Sequence, residues 1–567
     1  MKKSVLILAV LMLTSLQFTY AQEEKATPPP TRLEMPEDTT VTAETTQKVE
    51  LQKPELELPE VLVLGAERNI EVTGEKQSIV PESPSLVKPD APSEFVSTWF
   101  RRQAQKPSIS RDVYNVGEYA WSRLDVGNGI AVRGNAGYWR RLPNGTLTGQ
   151  GWGEYDAGDY ENNSRTNGGL RAQSYFEFGE GLSAELTGEM QGERFGLYQI
   201  LDSSATRNTA QGILRTQIQF DHPDEGKTQF VIGLQGLAMQ SDTAETQYHE
   251  TSNRTLNVRG KYSNALKEIP FSFTAAILRD NLSNSTISDP LVNTLNRVGL
   301  ESRFTFSNAW TSTFGLQYET FSNDSVNTLH RFSPWGKLNY IPVNYLGFSL
   351  SVTTGYQYQP FSERVQDNKY IDHRVLPRPD RLRFGSRFAL DLQLTNSIAL
   401  QGKLRYSNYQ VMQYWMRNAT GLFVLVSESD VEIIKVRIGA NMQVTGWLQL
   451  IPSLEAYTVN YGDDNLQDID YIPYNSRMEM PVIAEIDLGS LGQGGVELRY
   501  VGVRQTTVSG SGELDPYLDI NGEFQRTLNE QFTVFIRGEN LLNRQYSHWQ
   551  GIPANGLRIL LGAKATF

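Results

Sequence analysis

From about Val113 to Phe567, apolar and polar residues alternate with period two, and the alternation recurs segment after segment. A chain written this way folds into strands that show one face to an apolar medium and the other to water. In the last segment Leu557, Ile559, Leu561, Ala563, Ala565 and Phe567 share one face. Arg558, Gly562, Lys564 and Thr566 take the other, with Leu560 as the exception. At 531–539, Phe532, Val534 and Ile536 oppose Thr533, Arg537 and Glu539, with Phe535 out of pattern. Further back, Leu518, Ile520 and Phe524 oppose Asp519, Asn521, Glu523 and Gln525. Ile398, Leu400, Leu404 and Tyr406 oppose Gln401, Lys403 and Arg405 in the same manner.

The connections follow a second rule. Short turns such as Leu142-Pro143-Asn144-Gly145, Gly179-Glu180-Gly181, Thr395-Asn396-Ser397 and Asn529-Glu530 alternate with longer polar stretches at 158–166, 196–208, 241–250, 361–379 and 412–430. Short on one side and long on the other is the pattern of an outer-membrane barrel, with periplasmic turns and extracellular loops. Counting strands back from Phe567 gives 21, and the segment from Tyr114 to Val126 supplies the partner that an even number requires. The expectation is an all-β, transmembrane antiparallel β-barrel of about 22 strands over residues 113–567, each strand running roughly 10 to 14 residues. A soluble β-propeller or solenoid would instead show repeats at a fixed period, which the sequence lacks.

Composition removes several function classes. The chain has no cysteine, so disulfides, thiolate metal sites and a cysteine nucleophile are excluded. Its net charge of -12 argues against nucleic acid as a partner. No apolar run of helix-spanning length follows the first 16 residues, which argues against helical spans and leaves the lipid bilayer to be met by strands.

The N-terminal fifth reads differently. Lys2, Lys3, the apolar run Val5 to Leu16 and the small Ala21 predict a signal peptide over residues 1–21. Residues 22–92 hold 15 acids against 7 Lys or Arg and recurring prolines, which predicts a largely disordered, acidic periplasmic linker. Within it Val61, Leu62, Val63 and Leu64 form a β-prone run able to add to a partner's sheet edge, or simply a sticky stretch of linker. Residues 93–112 space Phe95 with Trp99 and Val96 with Phe100, which predicts a short amphipathic helix or lumen segment.

Near the C-terminus the run Asn540-Leu541-Leu542-Asn543-Arg544-Gln545-Tyr546, followed by Gly551-Ile552-Pro553 and a last strand ending in Phe567, resembles the closing strands of TonB-dependent outer-membrane receptors. Arg499-Tyr500-Val501-Gly502-Val503-Arg504 resembles another strand of the same barrels. The resemblance covers about the last 75 residues closely and the rest of the barrel in pattern only. It implies a Gram-negative outer-membrane location, recognition of the terminal Phe567 by the barrel-assembly machinery, and a TonB-type energising protein as partner. Such receptors carry a plug domain of more than a hundred residues before the barrel, whereas residues 22–110 supply fewer than 90 without the plug's usual elements. The wide lumen of a 22-stranded barrel is therefore expected to be filled by folded-in loops, by the 93–110 segment or by a plug-supplying partner.

Independent chemistry is sparse. The five histidines, His222, His249, His330, His373 and His548, form no metal-ligand spacing, and His373 reads as solvated loop. Asp463, Asp464, Asn465, Asp468 and Asp470 match no complete calcium loop. Tyr414, Trp415, Tyr546 and Trp549 suit either ligand stacking or interfacial anchoring. No nucleophile elbow is present, so neither a catalytic site nor a cofactor is expected. The function expected is uptake or passage of a nutrient or other small solute, the alternative being a non-transporting barrel that anchors or assembles envelope partners through its tail.

Overall fold

The computed structural model describes residues 118–567, apart from 161–162, 180, 198–204, 223–225, 243–248, 267–268, 288, 324–325, 463–470, 509 and 511. The expected signal peptide, the acidic linker with Val61 to Leu64, and the 93–112 helix lie outside the described residues. No helix among the described residues is long and apolar enough to cross a membrane.

Strands β1 to β26 run in chain order, and 22 of them form one closed antiparallel ring. The remaining four make two small hairpins in the loops, β20–β21 (Arg504–Gln505 and Glu513–Leu514) and β24–β25 (Ser547–Trp549 and Ile552–Pro553). Each ring strand pairs with its sequence neighbour, and the ring closes where β1 (Glu118–Gly127) pairs with β26 (Arg558–Thr566), Leu124 opposite Ala563. Closure removes the sheet edges that a bilayer cannot tolerate, because no water is there to satisfy a free N–H or C=O. The first strand and the total agree with the alternation read from the sequence.

The register fixes which side chains face out. Leu124 and Val126 on β1, Leu170, Met190, Ile232, Leu234, Ile277 and Leu561 are all exposed, Leu170 at 67% and Met190 at 70%. They form the outer apolar band. Their strand neighbours turn inward and pair as ions. Near the closing seam Arg123 reaches Asp125 at 3.1 Å and Glu523 at 3.2 Å, and Arg537 reaches Glu523 at 2.5 Å. Arg133 bridges Glu154 at 2.9 Å and Glu539 at 2.6 Å. Arg558 holds Asp156 at 3.2 Å and Asp159 at 2.5 Å.

Two residues that break the alternation have physical reasons. Phe535 on β23 (Phe532–Glu539) faces inward, 5% exposed, with the Arg123 guanidinium 3.6 Å above its ring. That contact is a cation–π pair inside the wall. Leu560 is fully buried against Gly127, where a Cβ would lie 2.9 Å from its Cγ.

Strand lengths differ from expectation, from 8 residues in β23 to 23 in β16 (Phe423–Thr445). The stretch 412–430 is not a long loop. β15 (Ile398–Arg417) and β16 stay paired up to Arg417 opposite Phe423, leaving only 418–422 as the turn. Tyr414, Trp415, Leu422 and Phe423 are buried, so packing above the apolar band holds this hairpin together where polarity alone predicted a loop.

At Gly562 an added Cβ would sit 2.2 Å from Phe535 Cζ and 2.5 Å from the Leu124 carbonyl oxygen. Gly562→Ala is therefore expected to destabilise the seam by about 1–3 kcal/mol, the usual cost of overpacking. The measurement is the temperature at which the folded band disappears in heat-modifiability gels, and an unchanged midpoint would refute the seam packing.

Candidate functional site: an inward-folded strap

The connection between β13 (Leu346–Gln357) and β14 (Asp380–Thr395), residues 358–379, folds inward at the long-loop end of the barrel. Its sequence explains its shape. Pro360 caps a single short helix, α1 (Phe361–Asp367), in which Phe361 and Val365 are one turn apart and both buried. Pro377 and Pro379 lack the N–H that strand pairing would need, so the chain is free of the ring until Asp380.

Each side of this strap is tied to the wall. Tyr358 donates to Asp280 and accepts from Asn293 at 2.9 Å, which fixes it to β9 (Ile269–Asn284) and β10 (Leu291–Thr305). The Ser362 N–H donates to Asn253 on β8 (His249–Leu266) at 3.2 Å, and Arg364 donates to Gln413 on β15 at 3.2 Å. Across the lumen, Gln366 donates to Gln211 on β6 (Thr206–Asp221), and the Lys369 ammonium lies 3.0 Å from Glu193 on β5 (Leu182–Gly196). From β13 to β5 is eight places round a ring of 22, so the strap reaches nearly the opposite wall.

Arg207 is the main latch. Its side chain is fully buried, Nε donates to Ser241 at 2.9 Å, and Nη1 donates to the carbonyls of Lys369 and Ile371 at 2.8 Å each. A guanidinium that satisfies strap carbonyls with no side chain of its own to match them locks backbone position. Apolar packing adds to these ties. Phe361 and Ile371, both fully buried, join Phe195, Leu237, Met239, Leu282 and the aromatic group Trp415, Phe423, Tyr474 and Trp549. Ile371 also bridges Phe423 as a short parallel pair.

His373 is not solvated loop, as its polar neighbours suggested. It is 6% exposed, its ring stacks on His249 with centroids 4.0 Å apart, and its Nδ1 lies 3.4 Å from Asp372. Burial pushes its pKa down to about 4 against the upward pull of Asp372, with the positive fields of His249, Arg374 and Arg207 acting in the same direction as burial. Asp372 itself would be raised by burial, but hydrogen bonds from the Arg374 side chain and N–H bring it below the ordinary carboxylate value. Asn418 also donates to it at 2.7 Å.

The residues singled out in the sequence fall elsewhere. Asn540 is buried in the left-handed region, its Oδ1 accepting from the Arg544 N–H and its Nδ2 donating to the carbonyls of Arg544 and Asn555. Asn543 is also left-handed and accepts from the Leu557 N–H at 3.0 Å. Leu541 and Leu542 are 42% exposed, and the Arg544 side chain is exposed. Tyr546 stacks on Tyr517 at 3.9 Å. Phe567 is exposed on the outer face, with backbone bonds to Ala120 at the closing seam. Tyr414, Trp415 and Trp549 are core residues of the mouth rather than open platforms. The acidic run 463–470 lies outside the described residues. Among the described residues no group of three His, Cys, Asp or Glu side chains is placed to hold a metal ion.

No protein-family profile matches the chain, and no curated protein matches it. Solved structures do. The FrpB iron transporter from Neisseria meningitidis superposes with a TM-score of 0.66 at 12% identity, covering 80% of this chain and 81% of that one. The copper transporter OprC gives 0.64 at 11%, covering 80% of each chain. The ferric-catecholate import receptor Fiu from K12 E. coli gives 0.61 at 10%, covering 79% of this chain and 82% of that one. The fold is that of the TonB-dependent receptor barrels. At these identities the likeness concerns architecture, and the strap must be understood from its own residues.

Two outcomes are expected of the latch. Arg207→Met leaves the carbonyls of Lys369 and Ile371 without their donor, at a cost of about 1–3 kcal/mol for each stranded group. Hydrogen exchange should rise in 358–379 while the barrel strands stay protected. For His373 the folded pKa lies below the free value, so the closed strap binds fewer protons than the opened one. Its contribution is complete above about pH 6.5 and is lost as pH falls toward 4. Strap exchange should accelerate over that window in the native protein, and His373→Gln should remove that part of the pH dependence.

Proposed function

We propose that the chain is an outer-membrane receptor barrel for uptake of a small solute, with the strap at 358–379 as the closure of its outer mouth. It resides in the Gram-negative outer membrane, its apolar band in lipid and its long loops outside. The observation that carries this reading is the bonding of the strap to strands nearly opposite its own base, through Arg207 and Lys369. A structural anchor needs a stable barrel but not a segment laid across its opening. The similar iron transporter, copper transporter and ferric-catecholate import receptor support a solute of that general kind, a metal ion or metal chelate.

In this reading residues 1–21 direct export and are removed, and residues 22–92 remain in the periplasm. There Val61 to Leu64 offer a strand to a TonB-type energising protein, and the barrel-assembly machinery inserts the chain through its C-terminal strand. The barrel carries no catalytic role.

Replacing residues 360–378 with a short glycine–serine linker tests the closure, because Gln357 and Asp380 are already paired neighbours and need little chain to join them. In planar bilayers the shortened protein should conduct several-fold more than the full chain, and cells carrying it should become sensitive to bulky antibiotics. Equal conductance of the two forms would refute the strap as the closure.

A further inference from the structure

The outer face of the barrel carries an unbalanced positive site at the rim of its apolar band. Arg254 on β8 and Arg279 on β9 are both exposed. Their direction is fixed by their neighbours. Asn253 and Thr255, on either side of Arg254, are buried in the lumen wall, and Asp280, beside Arg279, is fully buried there. Since successive side chains alternate, both arginines point outward.

Register brings them together. Arg254 pairs with Asn281 and Leu256 with Arg279, so the two arginines are diagonal neighbours on one face. In that arrangement their Cβ atoms are about 7–8 Å apart, within reach of a common anion. Thr294 on β10 lies opposite Arg279, and it faces the same way.

Height places them at a boundary. On β8 the outward positions from Leu256 to Leu266 are Leu256, Val258, Gly260, Tyr262, Asn264 and Leu266, and on β9 Phe273, Ala275 and Ile277 lead up to Arg279. A strand tilted about 40° climbs about 2.5 Å per residue, so Leu256 to Leu266 covers about 25 Å, the height of a barrel's apolar band. Arg254 is the next outward residue but none above Leu256, and Arg279 is the next above Ile277. The two therefore sit where hydrocarbon gives way to headgroups on the loop side.

Among the described residues no acid pairs with either arginine. Elsewhere on the outer face near the loops Arg383 is paired with Asp430 at 2.5 Å. Around Arg254 and Arg279 the described outward neighbours Gly236, Ala238, Ser252, Asn281, Ser283 and Thr294 are all neutral. Among the described residues of β8 and β9 the nearest outward acid is Glu250, four residues up β8, about 13 Å away. Guanidinium groups at the edge of a low-dielectric slab favour a phosphate partner, and the planar fork can engage two of its oxygens.

We propose that Arg254 and Arg279 form a binding site for a phosphate group of the outer-leaflet glycolipid. The site holds the lipid with its acyl chains along Leu234, Leu256 and Ile277 and its phosphate between the two guanidinium groups, with Asn281 and Thr294 as neutral hydrogen-bonding neighbours. The inference rests on the outer-membrane reading given above.

The test uses the full chain, folded in neutral detergent and titrated by microscale thermophoresis with bis-phosphorylated lipid A in mixed micelles. Arg254→Ala/Arg279→Ala should weaken binding about tenfold or more, as loss of two charge-assisted contacts implies. Arg526→Ala, an exposed outward arginine at the opposite rim, should leave it unchanged. Lipid A stripped of its phosphates should bind the native protein as weakly as the double variant binds the intact lipid. Unheated gels establish that each variant is still a folded barrel. Equal affinity of double variant and native protein, or equal affinity for the stripped lipid, would overturn the proposal. Full competition by millimolar inorganic phosphate would also overturn it, since the site would then be one for free anions. Failure of the native protein to insert into lipid vesicles would instead remove the membrane reading itself.

Discussion

Everything in this molecule depends on one pairing, that of the first described strand with the last. A sheet of 22 strands left open at this point would present two edges of unsatisfied backbone to hydrocarbon, each group costing several kcal/mol. The bonds between β1 and β26 remove both edges at once. The ionic ladder from Arg123 to Arg558 crosses this seam on the inside, where the charges are largely buried and each is kept by its partner. Outside, β1 and β26 turn Leu124, Val126, Ile559 and Leu561 to lipid. The seam thus obeys in miniature the division between wet and greasy faces that governs the whole ring.

Most of this was legible from alternation, because a period of two is a local property that any single strand displays. The exceptions were legible as exceptions but not as contacts. Phe535 and Leu560 break the rule since each packs on a residue far away in sequence, Arg123 in one case and Gly127 in the other. The hairpin 412–430 was misjudged for a related reason. Ser427, Glu428 and Ser429 look like loop, whereas Trp415 and Phe423 are buried by the strap and the aromatic cluster, and Tyr414 by Tyr409, Tyr457 and Tyr461.

The closure of the mouth was the least legible part. Arg207 reads as one more polar-face residue of a strand, and nothing local says that its partners are the carbonyls of Lys369 and Ile371. His249 and His373 sit in different connections without ligand spacing, yet the fold stacks them. The expectation that inward-folded loops occupy part of the lumen follows from barrel width alone, but which loop does so depends on tertiary contacts. The prolines at 360, 377 and 379 were the available signal, since they forbid 358–379 from simply lengthening the hairpin between β13 and β14.

The strap is fastened unevenly. Its two ends are covalent and adjacent, Gln357 facing Asp380 in the ring, while its far end at Lys369 to Ile371 is held by hydrogen bonds, one ammonium–carboxylate contact and packing. A body joined to one bank and tethered to the other is released from the ring only by breaking the tether. Release at that end would uncover Glu193, Gln211 and Arg207, the wall residues that the far part of the strap engages.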